Sequence, residues 1–174
     1  MISKKMTEAI NDQIVAELYS AYLYLSMESY AKFVGLKGTA TWFRVQAMEE
    51  FTHADKFFKY VLDQGGRVVL GAIAKPDSDF KSALDVFERT LAHEKIVTSR
   101  INKLATLAQK ENDHASSAML QWFITEQIEE EANPSEIIQQ LKLLGKDGSG
   151  LFMIDQQLAA RVFVPPATGT NTAP

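Results

Sequence analysis

Residues 46–60 read QAMEEFTHADKFFKY, and the apolar positions in and around them fall at Phe43, Ala47, Ala54, Phe57 and Val61. Steps of three and four describe one buried stripe of a helix. The stripe needs a member between Ala47 and Ala54, and the residue standing there is Glu50, with His53 one turn further along the same face. An acid at the centre of an otherwise apolar stripe bears on fold and chemistry together.

Glycine and proline set the boundaries of this helix and of its neighbours. Gly35 and Gly38 cluster, then Gly65, Gly66, Gly71 and Pro76, and no further glycine appears until Gly145. The spacing predicts a first helix over 4–34, capped by Ser3 or Thr7, and a second over 38–64. The glycine-free run from 72 to 144 is too long for one globular helix and breaks at the polar patch QKENDHASS (109–117), giving helices over 80–111 and 115–144. A short fifth helix is predicted over 149–161, after the KDGSG loop, and PPATGTNTAP (165–174) has the composition of a disordered tail. One domain over 1–164 follows.

Four helices of similar length predict an all-α four-helix bundle. Short links make the first and last pairs antiparallel hairpins. The middle link, GGRVVLGAIAKPDSDF (65–80), spans about 50 Å when extended, against about 40 Å for a helix of this length, so it can run along the bundle and leave the second and third helices parallel.

The other three stripes are interrupted in the same way. The first helix supplies Ile10, Ile14, Glu17, Ala21, Tyr24 and Glu28; the third supplies Leu84, Phe87, Leu91, Glu94, Thr98, Ile101 and Ala105. The fourth supplies Leu120, Phe123, Gln127, Glu130, Pro134, Ile137 and Leu141. Helices of equal length align their centres, so Glu17, Glu50, Glu94 and Glu130 are expected at one level. Unpaired buried charges cost several kcal/mol each, and no Lys or Arg stands in the central layers to offset them. A lone stripe glutamate is ordinarily a snorkelling or protonated side chain, and a lone Glu-x-x-His pair arises by chance. Four acids at one level with a phased histidine instead point to two divalent cations.

The spacing repeats. Glu17 to Glu50 and Glu94 to Gln127 are both 33 residues; His53 and Glu130 each follow by three, and Glu49 and Glu126 keep the same offset of 77. The two hairpins therefore read as a duplicated half-site, E-x32-[EQ]-x2-[HE]. The di-iron bundle template has one Glu from each of two helices and Glu-x-x-His from each of the other two. Here Gln127 stands for Glu and Glu130 for His.

Composition narrows the partners. The 174 residues include no cysteine, which removes disulfide scaffolds, thiolate zinc sites and iron–sulfur clusters. A formal charge of −4 and a pI near 5.4 argue against a nucleic-acid coat. No apolar run approaches a membrane span or a secretory leader, so a soluble, cytoplasmic chain is expected.

With these residues in view the chain resembles the non-haem bacterial ferritins over most of its length, through AELYSAYLY (16–24), QAMEEFTHADKFFKY (46–60), HEKIVTSRIN (93–102), LQWFITEQIEEE (120–131) and LGKDGSGLFMID (144–155). The resemblance implies a ferritin-like bundle acting as a ferroxidase and iron store. Fe²⁺ and O₂ would be the substrates, and the subunits would form a homo-oligomeric shell, 24 in the family, with the fifth helix near the fourfold axes. It implies that Glu17, Glu50 and His53 hold one iron and Glu50, Glu94 and Glu130 the other, that Glu49, Glu126, Glu129 and Glu130 form a third site, and that Tyr24 and Gln127 sit behind the ligands with Trp122 close by. Gln127-x-x-Glu130 and Thr52 depart from the haem-containing relatives, so no haem is expected. Pro134, inside the fourth helix, removes the donor to the Glu130 carbonyl and is expected to bend the helix there. His93 and His114 read as ordinary polar residues, and Met6, Met27, Met48, Met119 and Met153 as packing residues. Leu151, Phe152, Ile154 and Leu158 of the fifth helix are expected at an oligomer contact. Two rival classes stay open at this point. One is a dimetal oxidase acting on a small organic substrate; the other is a purely structural bundle or DNA-protecting mini-ferritin.

Seven of the 22 acids are thereby assigned to metal, leaving 15 against 18 Lys and Arg. Away from the expected site the chain is slightly basic.

Overall fold

The computed structural model describes residues 2–145 and 148–165. Among the described residues five helices follow in order: α1 (Lys4–Phe33), α2 (Lys37–Asp63), α3 (Ala83–Lys110), α4 (His114–Leu144) and α5 (Gly148–Leu158). No helix among the described residues is long and apolar enough to cross a membrane. The tail expected over 165–174 lies, from 166 onward, outside the described residues.

Local chemistry accounts for most of the helix ends. Ser3, Ser82 and Asp113 cap α1, α3 and α4 through side-chain oxygens that accept from Met6, Asp85 and Ser116 N–H. Three helices stop in the same way. Gly35, Gly65 and Asn112 turn into the left-handed region, and the following residue returns its N–H to the carbonyl of Ala31, Val61 or Ala108 at 2.8–2.9 Å. At the start of α2 no local side chain caps the helix. Asp155 of α5 does so from 116 residues away, accepting from Gly38 N–H at 2.9 Å, Thr39 N–H at 2.7 Å and Thr39 Oγ1 at 2.8 Å. Gly38 is required at this contact, because a Cβ there would lie 1.5 Å from the Asp155 carbonyl oxygen.

The long link between α2 and α3 is a crossover. Arg67 accepts a hydrogen bond from Asn11, Gly71 lies against Val15, and Asp77 accepts from Ser26, so the chain climbs α1 over about 22 Å. It delivers α3 antiparallel to α1: Tyr24 meets Glu94, and Gln13 meets Arg100. α2 and α3 are consequently parallel.

The acids divide the core in two. One apolar cluster gathers Tyr24, Met27, Trp42, Phe43, Phe87 and Ile137; the other gathers Met6, Ile10, Phe57, Ile101, Leu120 and Phe123. Every expected stripe residue of α1, α2 and α4 is buried. In α3 the stripe is rotated. Leu84, Leu91, Thr98 and Ala105 are only half-buried, while Val86, Thr90, Val97, Leu104 and Ala108 fill the core with Phe87, Glu94 and Ile101. Helix α3 has apolar residues on both candidate faces, and periodicity alone does not choose between them.

Two helix bounds also differ from the expected ones. Helix α3 begins at Ala83, not 80, and α5 ends at Leu158, not 161. In the single subunit Met48 and Met153 are exposed, not packed; of α5, Ile154 is buried and Phe152 is exposed, as a residue meeting another subunit must be. Helix α4 runs unbroken through Pro134, and the Ser135 hydroxyl donates to the Glu131 carbonyl at 2.6 Å.

Candidate metal centre

Between the two apolar clusters, each long helix contributes its carboxylate to one layer. Glu17, Glu50, Glu94 and Glu130 are each at most 5% exposed, and His53 is 3% exposed. Ligand atoms of Glu17, Glu50 and His53 lie within 4.8 Å of one another, as do those of Glu50, Glu94 and Glu130, and those of His53, Glu126 and Glu130. Glu50, His53 and Glu130 each belong to two of these groups, and Glu50 is the member common to the two that contain Glu17 and Glu94.

No Lys or Arg among the described residues pairs with Glu17, Glu50, Glu94 or Glu130. Burial, followed by the Glu50 charge, pushes the Glu17 carboxyl up to about 8; burial and Glu94 push Glu130 up to about 8. Glu50 and Glu94 are held well above the usual range, first by burial and then by their acidic neighbours. Glu28 shows the contrasting solution. It is equally buried, but Lys32 and Arg44 pair with it at 2.5 and 2.8 Å. The layer acids lack such partners, and Glu17 Oε2 has no hydrogen-bond partner among the described residues. A layer of oxygens with one imidazole and an unpartnered buried oxygen suits hard cations such as Fe²⁺ and Fe³⁺.

Surrounding side chains fix where each ligand points. Tyr24 donates its hydroxyl to Glu94 Oε1, and burial with the Glu94 charge keeps that hydroxyl protonated by raising its pKa far above the usual value. Gln127 Nε2 faces the Glu94 carbonyl and Oε2, both at 3.3 Å, and Thr98 Oγ1 at 3.1 Å. Gln13 Nε2 donates to Glu17 Oε1 at 2.8 Å, and Gln46 Nε2 donates to Glu130 and, at 3.4 Å, to Glu50. His53 turns Nδ1 toward Glu50 Oε2 at 3.4 Å and Nε2 toward Glu126 Oε1 at 3.9 Å, with Trp122 and Phe123 edge-on beside it.

The four acids expected at a third site part company. Glu126 and Glu130 share His53, Glu49 is engaged by Arg161 at 2.5 Å, and Glu129 is exposed and joins none of the groups found among the described residues. His93 is not an ordinary surface residue. Its Nε2 bonds Ser20 Oγ at 2.8 Å, its ring meets Tyr24 and Tyr19, and burial lowers its pKa to about 4. His114, the first residue of α4, is exposed.

Sequence reasoning passed over Gln13, Gln46 and Arg161. The two glutamines carried a signal, since each stands four residues before a layer glutamate on the same helical face. Arg161 carried none, being more than 110 residues from what it touches.

The profile of the ferritin-like domain matches residues 7–144. A probable bacterial non-heme ferritin-like protein of Haemophilus influenzae is 41% identical over 91% of this chain and 96% of its own. A bacterial non-heme ferritin of Campylobacter jejuni is 39% identical over 91% and 95%. Among solved structures, the open-pore ferritin of Archaeoglobus fulgidus superposes with a TM-score of 0.92 at 48% identity, over 93% of this chain and 100% of that one. The bundle with its single crossover, the acidic layer and these similarities lead to one conclusion: the chain belongs to the ferritin family.

Proposed function

We propose that the protein is a cytoplasmic iron store that oxidises Fe²⁺ with O₂ at a dinuclear centre inside each subunit and deposits ferric oxyhydroxide within a homo-oligomeric shell, of 24 subunits as in the resemblance above. The observation that carries this reading is the pair of ligand groups sharing Glu50, Glu17–Glu50–His53 and Glu50–Glu94–Glu130. Two Fe²⁺ seated there give up one electron each to O₂. The carboxylates favour the ferric product because hard oxygen donors bind the higher charge more strongly. Tyr24 and Gln127 orient Glu94, and Gln13 orients Glu17, so the ligand geometry is set before iron arrives. Because Gln127 is neutral where the template has an acid, the second hairpin binds iron less firmly, which suits a substrate that must move on to a mineral.

Proton release belongs to the same reading. Carboxylates that burial keeps protonated near neutral pH must lose those protons as Fe²⁺ binds, so anaerobic loading releases protons.

Aerobic addition of Fe²⁺ to purified apoprotein tests the proposal. The wild type develops ferric-oxo absorbance, and Glu50→Ala slows this by at least about tenfold, since removing a ligand common to both ions costs no less than disturbing an outer partner. Full oxidation rate in Glu50→Ala removes the ferroxidase reading. Monomer or dimer mobility on size exclusion removes the shell.

A further inference from the structure

Gln13 and Gln46 each stand one turn before a layer glutamate, and both are 1% exposed. The terminal torsion of a glutamine is nearly two-fold, so its oxygen and its NH₂ group exchange places at little cost unless a partner decides between them. In both cases the partner is an arginine. Arg100 of α3 donates from Nε to Gln13 Oε1 at 2.9 Å and from Nη2 to the Asp12 carbonyl at 2.8 Å. Arg161, beyond α5, donates from Nη1 to Gln46 Oε1 at 2.8 Å. A guanidinium has donors and no acceptor, so each glutamine must turn its oxygen to the arginine and its NH₂ to the acidic layer. Gln13 thereby donates to Glu17 at 2.8 Å, and Gln46 to Glu130 and, at 3.4 Å, to Glu50.

Both arginines are fixed from outside the layer. Arg100 grips the α1 backbone through the Asp12 carbonyl. Arg161 lies 4.5 Å over the Trp42 ring and pairs with Glu49 at 2.5 Å, on a turn anchored where Asp155 caps α2. A cation on the amide oxygen also polarises the amide, which strengthens the bond its NH₂ donates. The two relays end on different ligand groups. Arg100 reaches Glu17 of the group Glu17–Glu50–His53, whereas Arg161 reaches Glu130 and Glu50 of the group Glu50–Glu94–Glu130.

We propose that Arg100 and Arg161 are positioning residues of the metal centre, each fixing one ligand group by locking the amide of its glutamine. The proposal rests on the dinuclear reading of the layer and adds to it a separate control for each ion. Without its arginine the amide turns, and in part of the molecules its oxygen faces the carboxylate. Only the remaining molecules hold the ligands ready for an ion, and the apparent affinity falls by that fraction.

Zn²⁺, redox-inert and tolerant of oxygen and nitrogen ligands, is the probe. Calorimetric titration of the apoprotein gives the affinities, and anomalous scattering from crystals equilibrated with sub-saturating Zn²⁺ gives the occupancy of each position. Arg161→Gln is expected to weaken the ion at Glu50–Glu94–Glu130 by roughly tenfold and to leave the ion at Glu17–Glu50–His53 within about twofold; Arg100→Gln does the reverse. Arg161→Lys and Arg100→Lys, which keep the charge and lose the fork, each recover part of the loss. They also carry the test where a glutamine variant fails to fold. The relay itself is read with the amide removed: in Gln46→Ala, Arg161→Gln has no further effect, and in Gln13→Ala, Arg100→Gln has none. Equal weakening of both ions by either arginine variant, or a loss that persists once the glutamine is gone, overturns the proposal, because an arginine that only ties helices together needs no amide. A wild type that binds no pair of Zn²⁺ ions overturns the dinuclear reading instead, which separates the two failures.

Discussion

In the hairpin of α1 and α2, each layer carboxylate has a glutamine one turn before it: Gln13 donates to Glu17, and Gln46 to Glu50 and across to Glu130. In the hairpin of α3 and α4 the glutamine has moved into the layer itself, where Gln127 donates to Glu94 and takes the place that Glu50 holds in the first. The spacing of 33 residues is the same in both. Spacing is dictated by the level at which the helices cross, so it is kept; the side chains at that level are free to diverge. The first hairpin supplies Glu50, common to two of the possible ligand groups, and the imidazole of His53; the second supplies Gln127, a neutral amide where an acid would be the fifth carboxylate of the layer.

The comparison is broken most severely where the hairpins meet. Phe57 and Phe123 stack at 3.9 Å between centroids, one from each hairpin and both essentially inaccessible. Phe57→Ala and Phe123→Ala are each expected to destabilise the subunit by about 3–5 kcal/mol, and the double variant by less than the sum, because the two rings share one contact. Denaturant unfolding of the three variants checks this.

Exchanging the central residues of the hairpins sharpens it next. Gln127→Glu removes the amide that holds Glu94 and adds an acid to a layer already short of cations, so the metal-free protein is expected to lose about 1–3 kcal/mol. Glu50→Gln is expected to do the opposite in the absence of metal, since it deletes a buried acid, while losing the rise in unfolding temperature that Zn²⁺ gives the wild type. Thermal unfolding with and without Zn²⁺ reads both.

A pH series tests whether the hairpins share one electrostatic layer. Glu17 and Glu130, one from each hairpin, have native pKa values raised to about 8 from ordinary values near 4.5. The native state therefore holds protons that the unfolded state has released, and this contribution is complete below about 4.5 and lost as pH rises through 8. Metal-free unfolding temperature is expected to fall between pH 6.5 and 8, a window above the range in which buried His93 titrates. Glu17→Gln and Glu130→Gln should each flatten that fall, and Zn²⁺ should reverse it.

The smallest effect concerns the starts of α2 and α4. Asp113→Ala removes a local cap from the second hairpin and is expected to cost about 1 kcal/mol. Asp155→Ala costs α2 a similar amount but also frees α5. Hydrogen exchange should accordingly show lost protection confined to the first turn of α4 in one variant, and spread over α2 and α5 in the other.

Much of this was legible in the sequence. The stripes of α1, α2 and α4, the mid-helix acids, the 33-residue spacing and the crossover all follow from periodicities of three and four and from chain reach, which act over a few residues or over simple lengths. The stripe of α3 was misjudged because both of its faces are apolar enough to be buried, and only the position of α1 and α4 chooses. His93 looked ordinary for a similar reason: its partners, Ser20 and Tyr24, lie about 70 residues away.

The sequence by itself therefore determined that four helices bring Glu17, Glu50, His53, Glu94 and Glu130 to one level, since helical phase and equal length leave them no other level to occupy. Only the tertiary structure decided which acids receive a protein cation. Glu28 is paired by Lys32 and Arg44, Glu49 by Arg161, and Glu17, Glu50 and Glu94 by no Lys or Arg among the described residues. Ion pairing across more than 100 residues depends on where the chain returns after α5, and that path is set by the Gly38–Asp155 contact, which no local pattern in the sequence announces.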